Sequence, residues 1–167
     1  MAFERVIPDP GFADDDGQAT DEVRTALAAY REAPEALHSQ TLAVLQDSRV
    51  LVPVVAVLGE VEYDENGLAH DKTSDMATVL ITGRDGRTAL LSFTSTDALA
   101  AWNPEARPVA VDLRKAALSA IQDGADAVVL DIAGPVLFAV EGVELRSLAE
   151  GLVLRPVEGG WGWTRSM

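Results

Sequence analysis

The chain has 167 residues, 13 Lys and Arg against 27 Asp and Glu, a formal net charge of −14, and no cysteine. That length suits one domain with a sizeable core, and a hydrophobic content of 48% is too high for a disordered chain. The missing cysteine excludes disulfides, thiolate zinc sites and cysteine nucleophiles, while the acidic balance disfavours nucleic acid and anionic membrane surfaces, whose binding rests on Lys and Arg.

In chain order, residues 1–19 form an extended acidic arm, because Ile7-Pro8-Asp9-Pro10-Gly11-Phe12 and the acids Asp14, Asp15 and Asp16 mix turn formers with charge and carry no helical or strand period. Met1-Ala2-Phe3-Glu4-Arg5 lacks a basic segment leading into an apolar one, so no secretory signal is expected and the location is expected to be cytoplasmic. Thr20 is placed to cap a helix carrying Val23, Leu27 and Tyr30 on one stripe, with Asp21 and Glu22 at its positive end. Pro34 starts a second helix, over about Glu35 to Gln46.

Val50 to Val57 is a β-branched run of the kind that forms a strand covered on both faces, with Pro53 demanding an edge or a bulge. The charged stretch from Glu60 to Asp75 contains Asn66-Gly67 and reads as a long exposed loop or hairpin extension. Met76 to Ile81 and Thr88 to Phe93 flank Gly83-Arg84-Asp85-Gly86-Arg87, a strong local hairpin signal. Thr94-Ser95-Thr96-Asp97 then opens a short helix through Leu99 and Trp102, closed by Pro104.

A brief strand at Val109 to Val111, a helix at Arg114 to Gln122 and a strand at Ala127 to Ile132 follow. Gly134-Pro135 turns the chain into a hairpin partner at Val136 to Val140, and Val143 to Ala149 forms a last helix. Hairpins this frequent predict an α+β fold, a layered and mostly antiparallel mixed sheet packed on helices behind a helical lead-in. The predicted organisation is an arm over 1–19, a single domain over 20–152, and a Gly/Trp-containing C-terminal tail over 153–167.

Leu51-Val52-Pro53-Val54, the run Gly86-Arg87-Thr88-Ala89-Leu90-Leu91-Ser92-Phe93-Thr94-Ser95 leading to Trp102, and Gly124-Ala125-Asp126-Ala127-Val128-Val129-Leu130-Asp131 together resemble the SseB family. From about Arg49 to Leu152 the chain is similar to the N-terminal domain named for the enhanced serine sensitivity protein, in its actinobacterial form, which the opening arm and Lys72-Thr73-Ser74-Asp75-Met76 also resemble. The resemblance implies a compact α+β domain without established catalytic residues or cofactor. Many relatives carry an Asn-Pro turn where this chain reads Asp131-Ile132-Ala133-Gly134-Pro135.

The residues themselves show no catalytic signature. His38 and His70 are the only histidines, both expected at the surface, and neither sits in a nucleophile-elbow or His-Glu-x-x-His pattern. Glu62-x-Asp64-x-Asn66-Gly67 imitates the start of a calcium loop, but its twelfth position falls on Thr73, so no metal and no other cofactor is expected. Asp14, Asp15 and Asp16, with Trp161 and Trp163 in the tail, are the candidate partner contacts; each also has a plain reading, as solvated acids or as rings docked on the parent domain. The expected function is a non-enzymatic interaction or adaptor module for a basic protein partner or a second copy; the alternative is a sensor of small, amino-acid-related molecules, which a pocket with buried polar groups would favour.

Overall fold

The computed structural model describes residues 15–58, 61–63, 69–71 and 74–165, with the backbone alone for those of 55–77. It has the expected α+β architecture. Helix α1 (Asp21–Glu32) begins where Thr20 accepts a hydrogen bond from the Val23 amide, and it ends as the Ala33 amide closes on Ala29 and Tyr30. Pro34 occupies the first turn of α2 (Pro34–Leu45), where its missing N–H costs nothing. The pair buries Val23 and Leu27 from one helix and Thr41, Leu42 and Leu45 from the other.

Strand β1 (Arg49–Leu58) lies at the centre of a three-stranded sheet, between β4 (Ser74–Thr78) and β7 (Arg107–Asp112), both antiparallel to it. Pro53 is therefore in a central strand rather than on an edge. Its position explains why that is tolerated: Leu51 exchanges backbone bonds with Phe93, the ladder to β4 begins only at Val54, and Pro53 falls at the changeover. On the other side it stands opposite Pro108, a pairing in which neither ring is asked for a donor.

Between these strands, β2 (Val61–Tyr63) and β3 (Ala69–Asp71) pair antiparallel, which gives the charged stretch its hairpin. The Asn66-Gly67 turn itself lies outside the described residues. The second sheet has the order β5 (Leu80–Thr82), β6 (Thr88–Ser92), β8 (Ala127–Leu130), β9 (Phe138–Glu141). The hairpin of β5 and β6 closes as predicted, with the Gly86 amide on the Gly83 carbonyl. Strands β6 and β8, however, run parallel. The chain makes that crossover through α3 (Thr96–Trp102), β7 and α4 (Leu113–Gln122).

Strand β6 separates two apolar clusters. Leu90 belongs with Leu42, Leu45, Val128, Phe138 and Leu148 beneath the helices, whereas Leu91 belongs with Leu51, Phe93 and Leu99. Helix α5 (Gly142–Ala149) completes the first cluster through Leu145 and Leu148. Ser92 is fully buried, and its hydroxyl has no hydrogen-bond partner among the described residues.

The expected tail is instead a hairpin of β10 (Leu152–Val157) and β11 (Gly160–Arg165), so the body of the fold extends past residue 152. Leu154 is buried in the main cluster and Trp163 packs against it. The buried Gln46 side chain fixes β10 by accepting from the Leu154 amide at 2.8 Å and donating to the Leu154 carbonyl at 2.9 Å. A side chain thus supplies the pairing that a neighbouring strand would otherwise give.

Candidate binding cleft

Parallel neighbours leave their following loops at the same end of a sheet, and in α/β arrangements ligands gather outside those carboxyl ends. Beyond β6 the chain continues through Thr94 and Ser95 into α3, where the Ser95 hydroxyl caps the Ala98 amide. Beyond β8 it enters Asp131 and turns through Gly134 and Pro135. Helix α1 faces this end, and the three walls enclose a cleft of about 740 Å³. Such a volume suits a small molecule.

The floor is built from two residues. Asp131 is 1% exposed, and its carboxylate accepts the Thr94 amide at 2.8 Å and the Thr94 hydroxyl at 2.6 Å. Its own amide donates to the Ser92 carbonyl at 3.1 Å, so one residue ties both loops together. Its φ of 54° is the left-handed conformation that a residue other than glycine adopts seldom, and at functional sites more often than elsewhere. Burial pushes the Asp131 carboxyl above its ordinary value, against the lowering effect of the two Thr94 bonds.

The walls differ in charge. Helix α1 contributes Arg24 and Arg31, seven positions and therefore about 10.5 Å apart along the axis, with Leu27 and Ala28 between them and Glu32 at the end. Arg24 is paired with Asp21, whereas Arg31 has no ion pair among the described residues. The lining also includes Asp97 at the start of α3 and Asp131 in the floor, with Ala98, Ala101 and Val136 supplying apolar surface.

The residues singled out from the sequence lie elsewhere or have internal partners. Asp14 is outside the described residues. Asp15 is held by Arg49, with Nε to Oδ2 at 2.6 Å, and Asp16 turns back onto the Gln18 amide at 2.9 Å. Trp163 packs on the core, while Trp161 remains 38% exposed on β11. His38 is half-buried rather than a surface residue, stacked on Phe138 at 4.7 Å with Nε2 2.7 Å from Glu144 Oε1. The side chain of His70 is not described.

Thr94, Asp131, Arg24 and Arg31 were not legible as a group. The available signal was a hydroxyl pair after one apolar strand and an acid after another, Phe93-Thr94-Ser95 and Leu130-Asp131. Among the described residues no cluster of His, Asp and Glu has the arrangement of a metal site.

The sequence pattern of the SseB protein N-terminal domain matches residues 23–147. The chain belongs to the SseB family. No curated protein and no solved structure matches it. The matched SseB segment contains α1 from Val23 onward, both strands of the parallel pair and the whole floor, so every residue lining the cleft except Gln18 and Ala19 lies within it. No helix among the described residues is long and apolar enough to cross a membrane.

Proposed function

We propose that this SseB-family domain is a non-enzymatic binding module whose cleft takes a small dipolar metabolite, an amino acid or short amino-acid derivative being the simplest such class. The observation that carries this reading is the cleft at the carboxyl ends of β6 and β8, lined by Arg24 and Arg31 from α1 and by the acid Asp97 from α3. A ligand bearing both signs of charge complements that polarity, and the alanines leave room for a short apolar body. Binding rather than catalysis is favoured because Asp131, the acid of the floor, is 1% exposed and turned onto Thr94, so its carboxylate is not presented to a substrate proton.

The test is a titration of ¹⁵N-labelled protein with free amino acids, followed through its amide resonances. Saturable shifts confined to Thr94, Ser95 and residues 131–136, weakened by Arg31→Gln, support the reading. Shifts absent for every amino acid and for simple dicarboxylates overturn it.

A second reading, a protein-interaction module for a basic partner or a second copy, is favoured by the net charge of −14. Exposed apolar residues such as Leu137 and Val143, the latter 61% exposed, add surface for such a contact. Salt-weakened capture of one basic protein, lost on neutralising surface acids while the metabolite titration stays flat, would select this reading.

A further inference from the structure

We infer that residues 15–19 form a strap over the rim of the cleft and that Arg49 is the positioning residue that latches it to the floor. The inference relies on the small-molecule reading only for what the strap would gate; the latch itself stands on separate contacts. Gln18 and Ala19 line the cleft, so wherever this segment goes, one wall goes with it.

The Arg49 side chain is only 10% exposed and the Asp15 side chain 16%. Its guanidinium donates from Nε to Asp15 Oδ2 at 2.6 Å and from Nη2 to Asp15 Oδ1 at 2.9 Å, a two-pronged grip on the carboxylate. Nη2 also donates to the Gln18 carbonyl at 2.6 Å, and Nη1 to the Thr94 carbonyl at 2.8 Å. One rigid fork therefore joins the strap to the floor loop, and Thr94 passes the connection to Asp131.

A second attachment lies next to it. The Thr96 amide donates to the Gly17 carbonyl at 2.7 Å, and Gly17 takes a φ of 79° with the Thr96 side chain directly against it. A Cβ on Gly17 would stand 2.7 Å from Thr96 Cγ2, closer than packed atoms tolerate. The strap is thus seated by one partly covered, two-pronged ion pair and one close approach at a left-handed glycine. These contacts sit on the rim, and of the strap only Ala19 packs against an apolar cluster, so the part from Asp15 to Gln18 can open without unfolding the core.

Ligand contact with Gln18 or Ala19 would favour the closed strap, and release of the strap would widen the entrance between α1 and the loop at Thr94. Lys at position 49 would keep the charge but lose the fork, which separates positioning from a simple charge requirement.

Amide hydrogen exchange on the full chain without ligand tests this, reading the Thr96 amide as the strap reporter and the Gln46 amide, bonded to the Leu42 carbonyl at 2.8 Å, as the core control. Asp15→Asn, Gly17→Ala and Arg49→Lys should each speed exchange at Thr96 by roughly tenfold or more while leaving Gln46 at its wild-type rate. Wild-type protection of Thr96 in both Asp15→Asn and Gly17→Ala overturns the latch. Equal acceleration at Thr96 and Gln46 also overturns it, because the segment would then belong to the cooperative core. A flat metabolite titration with selective release of Thr96 would sink the small-molecule reading and leave the latch standing.

Discussion

Replacing Asp131 by Ala removes the acceptor for both Thr94 donors, which are buried in the floor of the cleft. Each orphaned donor costs about 1–3 kcal/mol, and alanine at a φ of 54° adds about 1 kcal/mol, while relief of a buried carboxylate offsets part of the loss. A net loss of roughly 3 kcal/mol is expected, a fall in Tm of about 6–12 °C for a chain of this size. Asp131→Asn should behave differently, because an amide accepts from the Thr94 N–H, tolerates the left-handed conformation, and carries no charge. Since burial raises the Asp131 carboxyl, the fold favours its protonated form: that contribution is full below the unfolded value of about 3.9 and is lost as pH rises through the folded value. Asp131→Asn should therefore gain on wild type as pH rises from about 4 through the folded value of Asp131, and level off above it. Thermal melts of the three proteins across that range decide the matter. An Asn variant as damaged as the Ala variant, or a gap between Asn and wild type that does not move with pH, would refute the reasoning.

Ser92→Ala should raise stability by about 0.5–1 kcal/mol in urea unfolding, since the hydroxyl it removes is buried without a partner. A loss of more than about 1 kcal/mol would show that the hydroxyl has a partner after all. Trp163→Ala should cost about 2–3 kcal/mol and Trp161→Ala about 1 kcal/mol or less, because only the former packs on the main cluster. Equal losses in denaturant titrations would overturn that division.

What the sequence made legible was local. Thr20, Ser95 and Pro34 announce helix starts through side-chain or ring chemistry that acts within one turn, and Asp85-Gly86 announces a hairpin whose strands follow at once. The parallel pairing of β6 with β8 was hidden, because it depends on where a crossover of more than thirty residues returns, and no short spacing encodes that. The floor inherits the same difficulty: Thr94 and Asp131 are 37 positions apart and meet only because those strands are neighbours. Pro53 misled in the other direction, since its edge preference is a statement about one missing donor and the fold places that donor where the partner strand changes. Gly159 and Gly160 suggested a flexible tail, yet both take positive φ in the tight turn that joins β10 to β11.

The physical domain is also larger than the segment that identifies its family. The SseB match ends at residue 147, inside α5, but Leu148 is fully buried and Leu154 is 5% exposed in the same cluster as Leu42 and Leu45. Ending the chain at 147 would uncover that side of the cluster and leave the buried Gln46 amide without its backbone partners. Each lost leucine costs about 2–5 kcal/mol and an unpaired buried amide about 1–3 kcal/mol. Together these approach the whole stability of an ordinary domain, about 5–15 kcal/mol. A chain of residues 1–147 should therefore lack a cooperative thermal transition, and one of residues 1–165 should keep it. Cooperative melting of the shorter chain near the full-length Tm would show that the β10–β11 hairpin is an accessory to the fold, and the reasoning from Gln46 and Leu154 would fail with it.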